Sequence, residues 1–338
     1  MSWLGLKIMF GAFPSAQKFE KWRDDLVQEY HDYLAYAESE ELHRFEYLNQ
    51  YVHSTEFEEK ENDPDTDQTE IDALKKELKE LHKSKQLKKY FNAKANEGKF
   101  APMVGWELLF EDDFSGNRLD TKKWLTRHYW GEKLLKRTYS LTGNKHCTTD
   151  GKNVSVADSS AIIETRREQA QGIVWNPFVG FIPDELEYTS GVINTATSFR
   201  HQYGKIEAKV TVPRGKAYHA FWLGGEQMLP QVNIFKYVKG RFYLENFWGN
   251  PADPNGVNND TTVVPGAFTG KNYIFSLEWT PSRLTWSVNG VVMKTAQRGI
   301  PNEPMYIAFG SGVNANARRF SSTIRFGIDW VRFYSRKE

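Results

Sequence analysis

The sequence of 338 residues has little of several features that would point to particular classes of protein. Its one cysteine, Cys147, excludes an intramolecular disulfide and argues against a zinc site built on cysteines. The 44 Lys and Arg residues nearly balance the 43 Asp and Glu residues, so net charge does not indicate a nucleic-acid or anionic-membrane partner. No apolar run reaches the length of a transmembrane helix.

The first 14 residues are mildly apolar, but Lys7 interrupts them and no basic residue precedes the apolar stretch. They therefore make a poor signal peptide, and we expect a cytoplasmic protein by default or release by a non-classical route. No group of potential ligands stands out either, so we predict neither a metal nor a cofactor. Aromatic residues, in contrast, are plentiful, with 11 Trp, 16 Tyr and 22 Phe. They are suited to stacking on sugar rings, although most aromatic side chains fill cores.

Residues 1–99 have the pattern of helices. Ser15 is a candidate N-cap, and from residue 19 aromatic and apolar residues recur at intervals of three and four. A second helix is predicted to begin at Ser39, and a short a/d pattern runs from Ile71 to Leu81. The form S-x-x-L-x-(R/K)-(aromatic) occurs at 39–45 and again at 84–90, which hints at a helical repeat. This region is either a solvated helical spacer or an arm that binds a protein partner or self-associates.

Residues 100–338 have the pattern of strands and turns. Residues 205–212 alternate between apolar and polar, and so do residues 284–288, which lead into Asn289-Gly290, a dipeptide typical of a type I′ hairpin. Many short strands separated by turns predict a mostly β fold, a two-sheet sandwich or jelly roll, which follows the N-terminal α-helical region.

The segment 229–237 is the most informative strand. Gln231 and Asn233 lie two residues apart and share one face, whereas Lys236 would face the other way unless a β-bulge adds a residue. With such a bulge, the spacing E-x-D-x-x-E would gather three carboxylates at one point. In this chain the three positions are Gln, Asn and Lys.

Phrases on both sides of this strand resemble glycoside hydrolase family 16, in its laminarinase-like branch, over roughly residues 100–338. They are WELLFEDDFSG at 106–116, YTSGVINT at 188–195, YGKIE at 203–207, AFWL at 220–223, FWG at 247–249, LEWTP at 277–281 and IDWVRFY at 328–334. The resemblance implies a concanavalin A-like jelly roll with a sugar-binding cleft on its concave sheet. It also implies retaining hydrolysis, which needs one ionised and one protonated carboxyl about 5 Å apart.

Carried over by position, the nucleophile becomes Gln231, the supporting acid becomes Asn233 and the acid/base becomes Lys236. A neutral amide is a very poor glycosyl nucleophile, and a lysine cation opposes the positive charge of an oxocarbenium-like transition state. General acid–base assistance alone supplies roughly 10²–10⁴ in rate. The resemblance therefore predicts a pseudo-enzyme with no catalytic residues. Catalysis by relocated acids is the alternative. The candidates are Glu226, Glu245, Asp184, Glu185 and Glu187.

A cleft can still bind sugar without acids. By resemblance, six residues are candidates for glycan contact: Trp222, Trp248, Trp175, Trp130, Glu245 and Glu226. Phe178 would stand with Trp175 in a loop that walls the cleft, and Tyr218-His219 replaces the Trp-Pro usual in the family.

Three functions remain open on the sequence. The first is a non-catalytic protein that binds a β-glucan or related polysaccharide. The second is an assembly protein docked through its helical arm, and the third is a cryptic glycosidase.

Overall fold

The computed structural model describes residues 13–176, 178–250, 253, 256–265 and 268–337. These divide into two compact units: residues 13–19 with 106–337, termed the sandwich unit, and residues 20–105, termed the helical unit. Most of the segment 1–14, on which the expectation of a missing signal peptide rests, lies outside the described residues. Within the described ranges no helix combines the length and the apolar character needed to cross a bilayer.

Among the residues that the structure describes, five helices precede the strands, and a sixth follows the first strand. They are α1 (Ala16–Ala37), α2 (Glu40–Tyr51), α3 (Thr55–Asn62), α4 (Gln68–Leu81), α5 (Lys85–Ala95) and α6 (Tyr129–Leu135), with a 3₁₀ turn at Glu97–Phe100.

The repeated S-x-x-L motif begins two of these helices. The hydroxyl oxygen of Ser39 accepts a hydrogen bond from the backbone N–H of Leu42 at 3.2 Å, and Ser84 does the same for Leu87 at 3.3 Å. Each serine satisfies one of the N–H groups that a helix start leaves unpaired. Leu42 and Leu87 are both buried in one apolar cluster of the helical unit. The motif is therefore an N-cap followed by a core residue.

The acidic stretch after residue 55 contains a helix that the sequence pattern did not reveal. Ser54 caps α3 by accepting from the N–H of Phe57 at 3.2 Å, and the Phe57 side chain is almost fully buried. Helix α4 ends at Leu81, which is why the a/d pattern stops there. The helical unit continues past residue 99, since Phe100 is buried with Leu26 and Ala93.

The sandwich unit contains nineteen strands in its described part. They are β1 (Trp106–Asp112), β2 (Ser140–Leu141), β3 (His146–Thr148), β4 (Val154–Ala157), β5 (Ser160–Thr165), β6 (Ala170–Asn176), β7 (Gly180–Leu186), β8 (Tyr188–Ser190), β9 (Val192–Asn194), β10 (Gly204–Thr211), β11 (Tyr218–Gly224), β12 (Gln231–Val238), β13 (Arg241–Gly249), β14 (Val257–Pro265), β15 (Asn272–Thr280), β16 (Arg283–Val288), β17 (Val291–Ala296), β18 (Tyr306–Gly312) and β19 (Ile324–Arg336).

Two antiparallel sheets form the sandwich. The eight-stranded sheet has the order β17-β16-β15-β10-β19-β5-β4, with β1 paired to β19, and the six-stranded sheet has the order β14-β13-β12-β11-β18-β9. Alternate residues of both sheets meet in one buried core, among them Ile206 and Val210 of β10 and Phe221 and Phe235 of the six-stranded sheet. The prediction of a mostly β, two-sheet fold after an N-terminal helical region is confirmed.

The predicted hairpin at Asn289-Gly290 is confirmed. Both residues have positive φ, 45° and 77°, as a type I′ turn requires. Asn289 is also buried, and its side-chain amide donates to the carbonyl of Pro14 at 2.8 Å. The start of α1 packs on the same sheet, where Ala16 and Phe19 lie against Ile274 and Trp330.

Candidate functional site

A β-bulge in β12 decides which way Gln231, Asn233 and Lys236 point, and we call these three the altered residues. The register of β12 shifts against β13 between Asn233 and Lys236, and against β11 at the same place. As a result, Ile234 and Phe235 are both buried in the core, and Lys236 turns to the face that carries Asn233. We call this face of the six-stranded sheet, directed away from the core, the site face. The structure thus contains the bulge that would bring Lys236 to the face of Gln231 and Asn233.

A chain of hydrogen bonds joins the two amides of β12 to a carboxylate on β13. The side-chain N–H of Gln231 donates to Asn233 Oδ1 at 2.8 Å, and Asn233 Nδ2 donates to Glu245 Oε2 at 2.8 Å. From β14, the Thr261 hydroxyl donates to Glu245 Oε1 at 3.3 Å. The backbone of Asn233 is fixed in turn, because its carbonyl accepts from the indole N–H of Trp286 at 3.0 Å. Glu245 is thus held on both oxygens by neutral donors.

Lys236 has a different environment. Its Nζ lies 5.7 Å from the centre of the Tyr218 ring, a cation–π contact across neighbouring strands. Among the residues that the structure describes, no carboxylate forms an ion pair with Lys236, and Glu245 is bound to Asn233 and Thr261 instead. Lys236 therefore places a positive charge on the site face, next to an aromatic ring.

Glu226 is the centre of a separate polar cluster. Tyr129 donates to both of its oxygens, at 3.0 and 2.8 Å, Arg200 Nη1 donates to Oε2 at 2.9 Å, and Lys133 Nζ donates to Oε1. The hydrogen bonds from Lys133 and Tyr129 lower the pKa of the Glu226 carboxyl to about 2. A carboxyl with that pKa stays ionised at neutral pH, so it is unsuited to donating a proton as a general acid.

Trp222 lies beside Asn233 in the six-stranded sheet. Its Cα is paired with that of Asn233, and it alternates with the core residues Phe221 and Leu223, so its side chain is on the site face. Its ring passes so close to Gly310 that a Cβ there would lie 3.2 Å from it. The half-buried ring therefore lies on the floor of the site face, and its contact with a glycan stays a prediction.

Trp248 differs from the sequence-based expectation. It shares the parity of Asn246, whose amide bonds the carbonyls of Arg298 and Gly299, and its own ring lies against Gly299. Strand alternation therefore puts Trp248 on the core side of β13 rather than on the site face. Phe247, paired with Gln231, has the parity of Glu245 and takes that place.

Trp175 and Trp130 lie on other elements. Trp175 is part of a three-stranded sheet, β2-β6-β7, in which β6 and β7 form a hairpin where the sequence suggested a loop. Phe178, at the tip of that hairpin, is 92% exposed and packs against little. Trp130 is the second residue of α6, and its ring centre is 5.2 Å from Lys133 Nζ, beside the cluster around Glu226. No described contact joins either tryptophan to the altered residues of β12.

His219 is a core residue and not a residue of the cleft rim. It is fully buried between Tyr237 and Phe326, with ring centres at 6.1 and 5.3 Å, and its Nδ1 lies 2.9 Å from the Ser311 hydroxyl. Burial lowers the pKa of His219 to about 3, so the ring is neutral at physiological pH. Its role is structural.

Three members of the site were not found from the sequence: Tyr218, Phe247 and Thr261. Parity alone could have found Tyr218, which alternates with the core residue His219. Phe247 and Thr261 depend on how β13 and β14 are paired with β12, and the sequence does not give that register. No group of three or more metal-binding side chains occurs among the residues that the structure describes.

Several known proteins with related sequences carry names that refer to β-1,3-glucan. The chain is 22% identical over 278 residues to glucan endo-1,3-beta-glucosidase A1 of Niallia circulans, covering 69% of this chain and 38% of that protein. It is 26% identical over 148 residues to beta-1,3-glucan-binding protein 1 of Manduca sexta, covering 38% of this chain and 27% of that protein. The chain thus spans well under half the length of either relative.

Solved structures show the same fold. The laminarinase catalytic domain from Thermotoga maritima MSB8 superposes with a TM-score of 0.54 at 21% identity, covering 69% of this chain and 99% of that domain. The family model "Glycosyl hydrolases family 16" matches residues 141–332, more than half of the chain. That range includes the bulged strand β12 and both of its neighbours. The chain belongs to glycosyl hydrolases family 16.

Proposed function

We propose that this chain is a catalytically silent family-16 protein that binds a β-glucan or a related polysaccharide on the site face. The observation that carries the proposal is the hydrogen-bonded chain Gln231–Asn233–Glu245. The strand and its bulge are retained, so the three positions still point to one place. Two of them now carry amides that are bonded to each other and to a carboxylate on the next strand.

The geometry argues against retaining hydrolysis. That reaction needs two carboxyl groups about 5 Å apart, one to attack and one to donate a proton. Glu245 is a carboxylate on the site face, but its oxygens accept from Asn233 and Thr261, and the acid/base position opposite is the cation of Lys236. Glu226 belongs to another cluster and is held ionised by Lys133 and Arg200.

Sugar binding needs an aromatic surface and hydrogen-bonding groups but no pair of carboxyl groups, and the site face has both of these features. Trp222 offers an aromatic surface, and the neighbouring amides, carboxylate and Thr261 hydroxyl offer hydrogen-bond donors and acceptors for sugar hydroxyls. An aromatic contact of this kind contributes about 1 kcal/mol beyond the area that it buries. The names of the related proteins, a β-1,3-glucan hydrolase and a β-1,3-glucan-binding protein, favour a β-1,3-linked glucan as the first ligand to test.

Affinity electrophoresis and titration calorimetry with laminarin test the binding proposal. We expect retardation by laminarin, and Trp222→Ala should weaken binding by about five- to tenfold, the loss of one stacking contact. Trp22→Ala is the matched control, because Trp22 is half exposed and lies in the helical unit. Equal affinity of both variants would exclude the site face as the binding surface.

The role of the helical unit stays a prediction. A partner-binding or self-associating arm and a solvated spacer both fit helices that have their own buried cluster, including Leu48 and Leu78.

A further inference from the structure

One end of the six-stranded sheet is strongly basic in a chain that is otherwise nearly neutral. Three segments meet there, because β11 begins at Tyr218, β12 ends at Val238 and β18 ends at Gly312, and β11 is paired with both of the others. The segments 212–218, 236–241 and 312–319 contain seven basic residues and no Asp or Glu. The basic residues are Arg214, Lys216, Lys236, Lys239, Arg241, Arg318 and Arg319.

These segments enclose a cavity of about 330 Å³. Its polar lining consists of three cations and two amides: Lys216, Lys239, Arg318, Asn314 and Asn316. No acidic side chain lines it. A volume of this size is within the range of small-ligand pockets, which begins at roughly 300 Å³.

The basic charge of the cavity is mostly not neutralised. Lys239 and Arg318 are exposed, and neither forms an ion pair with any residue in the described ranges. Lys216 donates to the backbone carbonyl of Arg319 at 2.8 Å, and no carboxylate in the described ranges pairs with it. Arg319 itself pairs with Glu187 at 3.0 Å. Cations gathered in a concave surface without counter-charges create a positive potential that attracts anions.

The cavity continues the site face. Val238, which lines the cavity, lies two residues after Lys236 on β12, and both flank the core residue Tyr237, so they are on the same face. Lys236 adds its own positive charge where the family pattern has the acid/base glutamate, and it lies over Tyr218 at the start of β11. A ligand along the site face would thus pass from Trp222 to Lys236 and then reach the cavity.

We propose that this cavity, together with Lys236, binds an anionic substituent, a sulfate ester or a uronate carboxylate, on a polysaccharide that lies along the site face. The inference rests on the proposed glycan-binding function and narrows its ligand to an acidic glycan. Lysine and arginine both donate charge-assisted hydrogen bonds to sulfate and carboxylate oxygens, and the two asparagine amides can complete the coordination. A polysaccharide is favoured over a nucleic acid because the charge lies at one end of the site face and not in a stripe along it.

The test compares two double variants that each remove two positive charges. Lys239→Gln with Arg318→Gln alters the cavity, whereas Lys152→Gln with Arg283→Gln alters exposed cations outside it. Carrageenan, polygalacturonate, laminarin and single-stranded DNA are the probes, and titrations are made at low and high salt. Carrageenan carries sulfate esters and polygalacturonate carries carboxylates, so the two acidic probes distinguish the sources of negative charge.

We expect one acidic glycan to bind more tightly than laminarin, with an affinity that falls as salt rises. The cavity variant should weaken that binding by about tenfold or more, since hydrogen bonds to charged groups are among the strongest, and the control variant should change it less than about twofold.

Four results would overturn the proposal. Equal losses in the two double variants would show attraction by net charge alone. DNA binding as tight as that of the glycans, with the same dependence on Lys239 and Arg318, would assign the cavity to nucleic acid. Laminarin binding that the cavity variant leaves unchanged, without preference for acidic glycans, would refute the anionic subsite but leave the proposed function standing. Absence of binding to all glycans would refute both.

Discussion

Individual side chains on the site face are held in different ways. Gln231 and Asn233 are fixed by hydrogen bonds to each other and to Glu245, so their amides act as structural donors. Lys236 lies over the ring of Tyr218, and no carboxylate in the described part of the chain pairs with it, so it remains able to meet a ligand. Replacing the two amides by carboxylates would place three negative charges in one chain of contacts. Restoring the acids therefore also changes the charge around Glu245.

Buried histidines make the stability of the sandwich unit depend on pH. Burial lowers the pKa of His219 to about 3 and that of His146 to about 4, whereas both would titrate near 6.5 in the unfolded chain. Between these values the unfolded state binds more protons, so the free energy of unfolding falls as pH decreases below about 6.5. At pH 5 the loss should be on the order of 2 kcal/mol for each histidine.

Urea unfolding followed by tryptophan fluorescence between about pH 7.5 and pH 5 measures this dependence. His219→Gln should flatten the slope, while His53→Gln, at an exposed position, should leave it unchanged. A free energy of unfolding that stays constant over this range in the unmodified protein would contradict the assignment of neutral buried rings.

Some features of the strands and helices were predicted from the sequence pattern, and others were not. The alternation in 205–212 and 284–288 matches the core residues of β10 and β16. The Asn289-Gly290 turn was predicted from its dipeptide and is confirmed by two positive φ angles. The face of Trp248 did not follow, because it depends on the pairing of β13 with its neighbours and on the approach of Gly299. Helix α3 was missed because an acidic sequence hid a single buried anchor, Phe57.

The two S-x-x-L motifs allow a test at their helix starts. Ser39→Ala and Ser84→Ala each remove the side-chain acceptor for one N–H group and should destabilise α2 and α5 by about 1 kcal/mol. Hydrogen exchange of the amides in each helix reports this change locally. Ser39→Asp is the control, since aspartate is also a good N-cap and should preserve protection. Unchanged exchange in the alanine variants would show that the caps do not stabilise these helices.

In the chain as a whole, no single boundary in the sequence separates the helical unit from the sandwich unit. Residues 13–19 precede the helical unit in sequence but pack on the sandwich, with Phe13 against Phe268 and Phe19 beside Trp330. Composition could not show that residues 13–19 pack on the sandwich unit, because the first apolar turn of α1 resembles the later ones. A single boundary near residue 100, inferred from the change in sequence pattern, therefore fails to assign residues 13–19 to the sandwich unit.

Two shortened chains test the role of that segment. A chain that begins at residue 106 should unfold at a temperature on the order of 10 °C lower than one in which a Gly-Ser linker replaces residues 20–105, because it loses the buried contacts of Ala16 and Phe19. Scanning calorimetry of both chains measures the difference. Equal unfolding temperatures would show that residues 13–19 add nothing to the sandwich.

The release of reducing sugar from laminarin by the unmodified protein tests the central claim most directly. We predict no release above the buffer control, because the resemblance to the family assigns the positions of the nucleophile and the acid/base to Gln231 and Lys236, neither of which is a carboxylic acid. The triple variant Gln231→Glu, Asn233→Asp, Lys236→Glu, assayed beside it, should gain measurable hydrolysis if only the acids were lost. Turnover by the unmodified protein that Glu245→Gln abolishes would contradict the account and make this chain an active glycosidase.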